Sequence, residues 1–166
     1  MQTSEELIKA HAKELFGYLC RYAGDPALAE DLLGEVFVKF LMQYKTKTDP
    51  NFQWRPWLYR VATNLAISHF RRQKLWSFFG LINQAANTSE KPPHDVIEQS
   101  QDGQLLKTAI EQLGDKFKSV VIMRVYNEMS YDEIAYALKI NVGTVKSRMN
   151  EAKARLKILL EDKYAI

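Results

Sequence analysis

Apolar side chains in this chain recur every three or four positions and almost nowhere every second one. Leu28, Leu32, Val36 and Phe40 are the plainest case. Apolar residues at a strict spacing of four line one face of an α-helix, whereas a half-buried strand needs a period of two. Turn signals are sparse, so the pattern predicts an all-α chain rather than a mixed one.

The breaks between helical stretches set the organisation. A first helix is expected over about residues 4–22. Gly24-Asp25-Pro26 then interrupts it; Asp25 can cap the next helix and Pro26 suits its first position. That second helix runs to about Gln43, with Asp31, Glu35 and Lys39 on a polar face. Residues 45–53 (KTKTDPNFQ) form a polar loop. A third helix is expected from Trp54 to about Lys74, with Leu58, Val61, Leu65 and Ile67 inward. Arg60, Asn64, Ser68 and Arg71 share its outward face. Residues 85–95 (AANTSEKPPHD) are linker-like, but the preceding LWSFFGLI is too apolar for a free linker and should pack on the first domain or against a partner.

The second half has its own apolar pattern: Leu105, Ile110, Leu113, Phe117, Val120, Val121 and Val125, broken at Gly114. Ser130-Tyr131-Asp132-Glu133 is a capping box opening a short helix that should bury Ile134, Ala135 and Leu138. Lys139-Ile140-Asn141 makes a tight turn, and Asn141 caps a helix from Val142 to about Leu160. The expected architecture is two small helical domains, 1–75 and 98–166, joined by a linker at 76–97, the C-terminal domain containing a helix-turn-helix.

Composition narrows the function classes. Cys20 is the single cysteine, which excludes an internal disulfide framework and a Cys-based zinc site. His11, His69 and His94 show no ligand spacing, and adjacent carboxylates such as Glu30/Asp31 diverge on a helix. No glycine-rich phosphate loop is present. No catalytic residue, metal or cofactor is expected. No apolar run reaches the roughly 18 residues that span a bilayer, and no secretory pattern opens the chain, so a cytoplasmic location is expected.

Charge is distributed unevenly. Residues 53–75 carry five basic groups and no acid, and residues 138–157 carry six basic groups against Glu151 alone. Two cationic segments fit two contacts with a polyanion, or two solvated helix faces. The second segment lies on a helix-turn-helix candidate, whose second helix would enter the major groove of DNA; an ordinary helical hairpin with a basic face is the alternative. In its first turns Gly143 permits close backbone approach, Thr144 and Ser147 can donate to phosphates, and Lys146, Arg148, Asn150 and Lys153 can reach base edges or backbone. Val145 and Met149 should face the core. The first segment interleaves arginines with aromatics, a combination suited to unstacked bases. Most of those aromatics are expected in the core, with Phe52 and Trp54 the better candidates for base contact.

AEDLLGEVFVKFL (29–41), WRPWLYRVATNLAISHFRRQK (54–74) and LGDKFKSVVIMRVYNEMSYDEIAYALKINVGTVKSRMNEAKARL (113–156) stand in this order along the chain. Together they make it resemble the extracytoplasmic-function (ECF) group of bacterial RNA polymerase sigma factors over nearly its whole length. The resemblance implies a protein that brings core polymerase to promoters and helps to melt them. It places polymerase clamp contacts at Asp31, Leu32, Glu35 and Phe37. It places contacts to the −10 element at Phe52, Trp54, Arg60, Asn64, Ser68, Arg71 and Arg72, with loop 45–53 holding a flipped base. It places contacts to the −35 element at Asn141, Gly143, Thr144, Lys146, Ser147, Arg148, Asn150 and Lys153, on a domain seated on the polymerase flap. It makes an anti-sigma factor a plausible partner. The chain departs from the group's pattern at Gly34 (usually glutamine), Ser68 (often aspartate), Lys139 (usually glycine) and Asn150-Glu151 (often His-Arg). Glu151 could accept from a cytosine amino group or pair with Arg155.

Two competing readings follow from the residues. A stand-alone helix-turn-helix regulator would use only the C-terminal motif and leave 54–74 without a role. A structural helical adaptor would show no salt-sensitive DNA affinity.

Overall fold

The computed structural model describes residues 2–78, 80 and 100–164. These fall into two compact units, one built from α1–α3 and the other from α4–α7. Every regular element among the described residues is a helix, as the apolar spacing predicts. Residues 79 and 81–97 of the expected linker lie outside the described residues, as does most of the LWSFFGLI segment beyond Phe78.

In the first unit, α1 (Ser4–Ala23) opens on a capping box in which Thr3 and Glu6 satisfy each other's backbone N–H groups. It stops at Gly24, whose φ of 73° is the left-handed conformation a glycine adopts without a Cβ penalty. Asp25 accepts from the N–H groups of Ala27 and Leu28 and so starts α2 (Pro26–Tyr44). The third helix, α3, spans Trp54–Phe78. It continues past Lys74, so residues 76–78 are helix rather than linker.

The three helices pack on one another around Leu15, Tyr18, Leu19 and Tyr22 of α1, Leu32, Val36 and Phe40 of α2, and Leu58 and Tyr59 of α3. The inward side of α3 differs from the expected one. Val61, Leu65 and Ile67 are half-buried, whereas Tyr59, Ala62, Thr63 and Ala66 are buried. Small side chains at 62 and 66 let neighbouring helices come close, while Tyr18 and Tyr59 fill the remaining volume at a ring separation of 5.1 Å. The polar atoms of this core are satisfied. Tyr18 Oη lies 2.7 Å from Thr63 Oγ1, which in turn donates to the Tyr59 carbonyl.

The second unit comprises α4 (Gln101–Glu111), α5 (Asp115–Val125), α6 (Tyr131–Leu138) and α7 (Val142–Tyr164). Helix α7 packs against the other three. Its core includes Ile110, Phe117, Val120, Ile122, Met123, Met129, Ile134, Val145 and Met149. One expectation is corrected: Leu138 is only half-buried, Ala137 being inward in its place. Leu105, which opens the apolar pattern, is also half-buried. Val125 is 48% exposed, because α5 ends there and the chain folds back, the Met129 N–H bonding the Met123 carbonyl so that Met129 fills the core instead.

Candidate nucleic-acid interface

The geometry of the helix-turn-helix begins with its caps. Ser130 Oγ accepts from the Glu133 N–H, and the Glu133 carboxylate accepts from the Ser130 N–H, which fixes the start of α6. Helix α6 ends at Lys139, which sits at φ 55° and ψ 44° in the left-handed region. A side chain there costs roughly 1–2 kcal/mol of backbone strain, the amount a glycine would avoid. Asn141 then caps α7, its Oδ1 accepting from both the N–H and the hydroxyl of Thr144. A Cβ at Gly143 would stand 3.4 Å from that same oxygen, so glycine leaves the cap uncrowded.

Burial of Ile134, Ala135, Val145, Met149 and Ala152 holds α6 and α7 together and turns the other side of α7 outward. Asn141, Gly143, Lys146, Ser147, Asn150 and Lys153 are exposed, and Thr144 and Arg148 are half-buried. The hydroxyls of Thr144 and Ser147 donate within the helix, to Asn141 Oδ1 and to the Thr144 carbonyl, rather than outward. Glu151 bonds Arg155 at 3.0 Å, and the Arg155 guanidinium lies 4.4 Å from the centre of the Phe117 ring. The ion pair, one of the two roles open to Glu151, is formed. The outward cations of the early turns are therefore Lys146, Arg148 and Lys153.

In the first unit, Asn64, Ser68, Arg71 and Arg72 are exposed along α3, and Arg60 is half-buried. At the base of α3 the aromatics form a cluster. Phe52 and Trp54 meet edge-on at 4.5 Å, and Trp54 also meets Phe40 at 5.0 Å and Trp57 at 5.7 Å. Both Phe52 and Trp54 remain half-buried rather than lost to the core. They border a cavity of about 140 Å³ together with Tyr44, Lys47, Asp49 and Pro50. Lys47 Nζ lies 4.8 Å from the centre of the Phe52 ring, and the Tyr44 hydroxyl donates to the Gln2 carbonyl at the cavity's edge. No local pattern in the sequence signals the contributions of Gln2 and Tyr44, since they lie 42 positions apart.

A half-buried polar knot secures this end of α3. The Glu14 carboxylate of α1 receives Arg55 Nε and Nη2 and the Tyr59 hydroxyl, and lies 2.6 Å from His11 Nδ1. Burial alone would raise the Glu14 carboxyl, but the bonds from His11 and Arg55, the Arg55 charge and the Tyr59 hydroxyl outweigh it and hold it down to about 2. Burial and the adjacent Glu14 carboxylate push the Tyr59 phenol strongly upward.

On α2, Asp31 and Glu35 are exposed and Phe37 is half-buried. Leu32 requires correction: it is 3% exposed and packs in the core, so it shapes this face from beneath instead of touching a partner. Val38 and Met42, 59% and 68% exposed, continue the face of Asp31 and Glu35 at helical spacing, and the sequence reading passes over both.

Two all-helical units, one of them a helix-turn-helix with a cationic outer face, define a two-part helical protein of the DNA-binding kind. The family model for Sigma-70 region 2 matches residues 7–75, and that for Sigma-70, region 4 matches residues 103–156. ECF RNA polymerase sigma factor SigL of Mycobacterium tuberculosis is 30% identical over 156 residues, covering 94% of this chain and 88% of the relative. RNA polymerase sigma-E factor of Streptomyces coelicolor is 31% identical over 153 residues, covering 92% and 83%. Among solved structures, the sigma factor RpoE from Bartonella quintana, in complex with the anti-sigma factor NepR, shares the fold at a TM-score of 0.76 and 21% identity, covering 95% of this chain and 96% of that one. The chain belongs to the ECF group of sigma-70 family RNA polymerase sigma factors, which bind core polymerase and promoter DNA to direct transcription initiation.

Proposed function

We propose that the two units read two separate promoter elements for one polymerase. The second unit docks α7 in the major groove of the −35 element, with Lys146, Arg148, Asn150 and Lys153 toward bases and phosphates and Asn141, Gly143, Thr144 and Ser147 shaping the close approach of its first turn. The first unit engages the −10 element through Arg60, Asn64, Ser68, Arg71 and Arg72, and its cavity beside Phe52 and Trp54 receives one unstacked base. Asp31 and Glu35, with Phe37 at their edge, face the polymerase clamp, and the second unit sits on the flap. The chain works in the cytoplasm without catalysis of its own, since bond formation belongs to the polymerase. An anti-sigma factor is its inhibitory partner.

The observation that carries this reading is the cavity bordered by half-buried Phe52 and Trp54 at the start of α3, the helix that also carries the exposed Asn64, Ser68, Arg71 and Arg72. A stand-alone regulator using only α7 would have no use for either. Run-off transcription with core polymerase on a library of genomic fragments tests it. Transcripts should begin downstream of sites sharing two spaced elements, and a chain that neither binds core nor yields transcripts would overturn the reading.

A further inference from the structure

On the outer side of α7 most neutral and acidic polar side chains are already engaged within the chain. Asn141 Oδ1 accepts from the N–H and the hydroxyl of Thr144, and the Ser147 hydroxyl donates to the Thr144 carbonyl. Glu151 holds Arg155. Asn150 differs from all of them. It is exposed, and its amide makes no hydrogen bond among the described residues.

Its neighbours give that amide a use. Lys146 and Lys153 stand four residues before and three after Asn150, so the three share one face. At a rise of 1.5 Å per residue the lysines flank the amide at about 6 Å and about 4.5 Å along the axis. Asn150 itself lies about 12 Å from the helix start at Val142, a distance similar to the roughly 12 Å width of the major groove. Gly143 and Ser147, seven and three residues earlier, keep the same face free of bulk toward the helix start. Burial of Val145, Met149 and Ala152 fixes which way this face turns. A helix seated in the groove by that face sets its central amide over base edges, while the flanking lysines reach phosphates on the walls.

The chemistry of the amide then selects the base. Its oxygen accepts and its nitrogen donates. In the major groove only adenine offers a donor, N6–H, beside an acceptor, N7. Guanine offers two acceptors, which suit lysine or arginine; cytosine offers one donor, and thymine one acceptor with a methyl group. The geometry points to Asn150 as the residue that specifies an adenine in the upstream promoter element, through paired hydrogen bonds to N6 and N7. This rests on the reading of α7 as the −35 helix and adds the identity of one base.

Holoenzyme reconstituted with the full chain tests it, by binding selection from a promoter whose upstream element is randomised. The wild-type chain should select adenine at one position that Asn150→Ala no longer specifies, with the other positions unchanged. Replacing that adenine by another base should weaken the wild-type complex roughly 5- to 150-fold and the Asn150→Ala complex hardly at all. 7-Deazaadenine, which lacks the N7 acceptor, should weaken binding by wild type but not by Asn150→Ala. Asn150→Gln, whose amide offers the same donor and acceptor, should keep the preference for adenine. The unfolding temperature should not fall in either variant, because the side chain is exposed and makes no bond within the fold. An unchanged selected sequence in Asn150→Ala overturns the proposal. So does an equal loss on every sequence, which marks Asn150 as a backbone contact, and so does a base other than adenine at the Asn150-dependent position. A wild-type holoenzyme that selects no upstream element sinks the −35 reading of α7 itself, whereas a defined element indifferent to Asn150 sinks only the adenine assignment.

Discussion

Glu14 on α1 and Arg55 on α3 form a two-pronged ion pair, with Arg55 Nε 3.1 Å and Nη2 3.0 Å from the same carboxylate oxygen. The pair locks the start of α3 one residue after Trp54. It therefore holds in place the helix end against which the aromatic cavity is built.

The Glu14–Arg55 pair makes stability depend on pH. The Glu14 carboxyl falls from an ordinary 4.5 to about 2 on folding. A depressed carboxyl contributes stability above its unfolded pKa and loses it as pH falls toward the folded one, so its share is on the order of 3 kcal/mol at neutral pH. Urea denaturation should find Glu14→Gln less stable than wild type near neutrality, with the gap less than half as large by about pH 3. A gap that stays constant with pH would show that the carboxylate charge is not what the pair contributes.

Gly34 lies in mid-α2 with nothing within 4 Å of where a Cβ would stand. Open space removes any steric penalty, so helix propensity decides the sign. Gly34→Ala should stabilise the chain by about 0.5–1 kcal/mol. Thermal denaturation checks this, and a fall in stability would mean that the glycine serves a local need that its surroundings do not reveal.

Lys139 carries the opposite problem. Its left-handed backbone costs roughly 1–2 kcal/mol, while glycine's freedom in the unfolded chain costs about 0.4–1 kcal/mol. The strain outweighs that freedom, so Lys139→Gly should stabilise the chain by somewhat under about 1 kcal/mol. Equal or lower stability in the variant would contradict the assigned strain.

Glu151 and Arg155 are both about half exposed, so their ion pair adds only about 0.2–1 kcal/mol to the fold. Glu151→Ala should leave the unfolding temperature nearly unchanged. It should tighten promoter binding by holoenzyme, because an acid beside the phosphates is gone and Arg155 is released from it. Weaker binding would instead assign Glu151 a base contact.

What is legible in the sequence is mostly local. Asp25-Pro26 and Ser130-Tyr131-Asp132-Glu133 announce helix starts because capping depends on residues within one turn. Val145 and Met149 face inward as their spacing requires. Spacing misleads where tertiary packing overrides side-chain size. Ala62 and Ala66 are more buried than Val61 and Leu65, because close helix approach admits only small groups there. Val125 has the spacing of a core residue but sits where the helix ends. Leu32 belongs to the apolar row of α2, and the same spacing that buries it removes it from the partner face.

The candidate site divides in the same way. The cationic outer rows of α3 and α7 follow from spacing alone. The Glu14–Arg55 pair joins residues 41 apart, and no local pattern signals such a pairing. The cavity likewise needs residue 2 to meet residue 44.

Permanganate footprinting of the reconstituted holoenzyme on a selected promoter tests the central claim most directly, because it reports unpaired thymines at the start site. Unpaired thymines should appear with the wild-type chain. They should diminish in Asn64→Ala while the upstream duplex remains protected, since Asn64 is an exposed member of the α3 row. A promoter bound and protected upstream, yet without any unpaired thymine in the wild-type complex, would contradict the account.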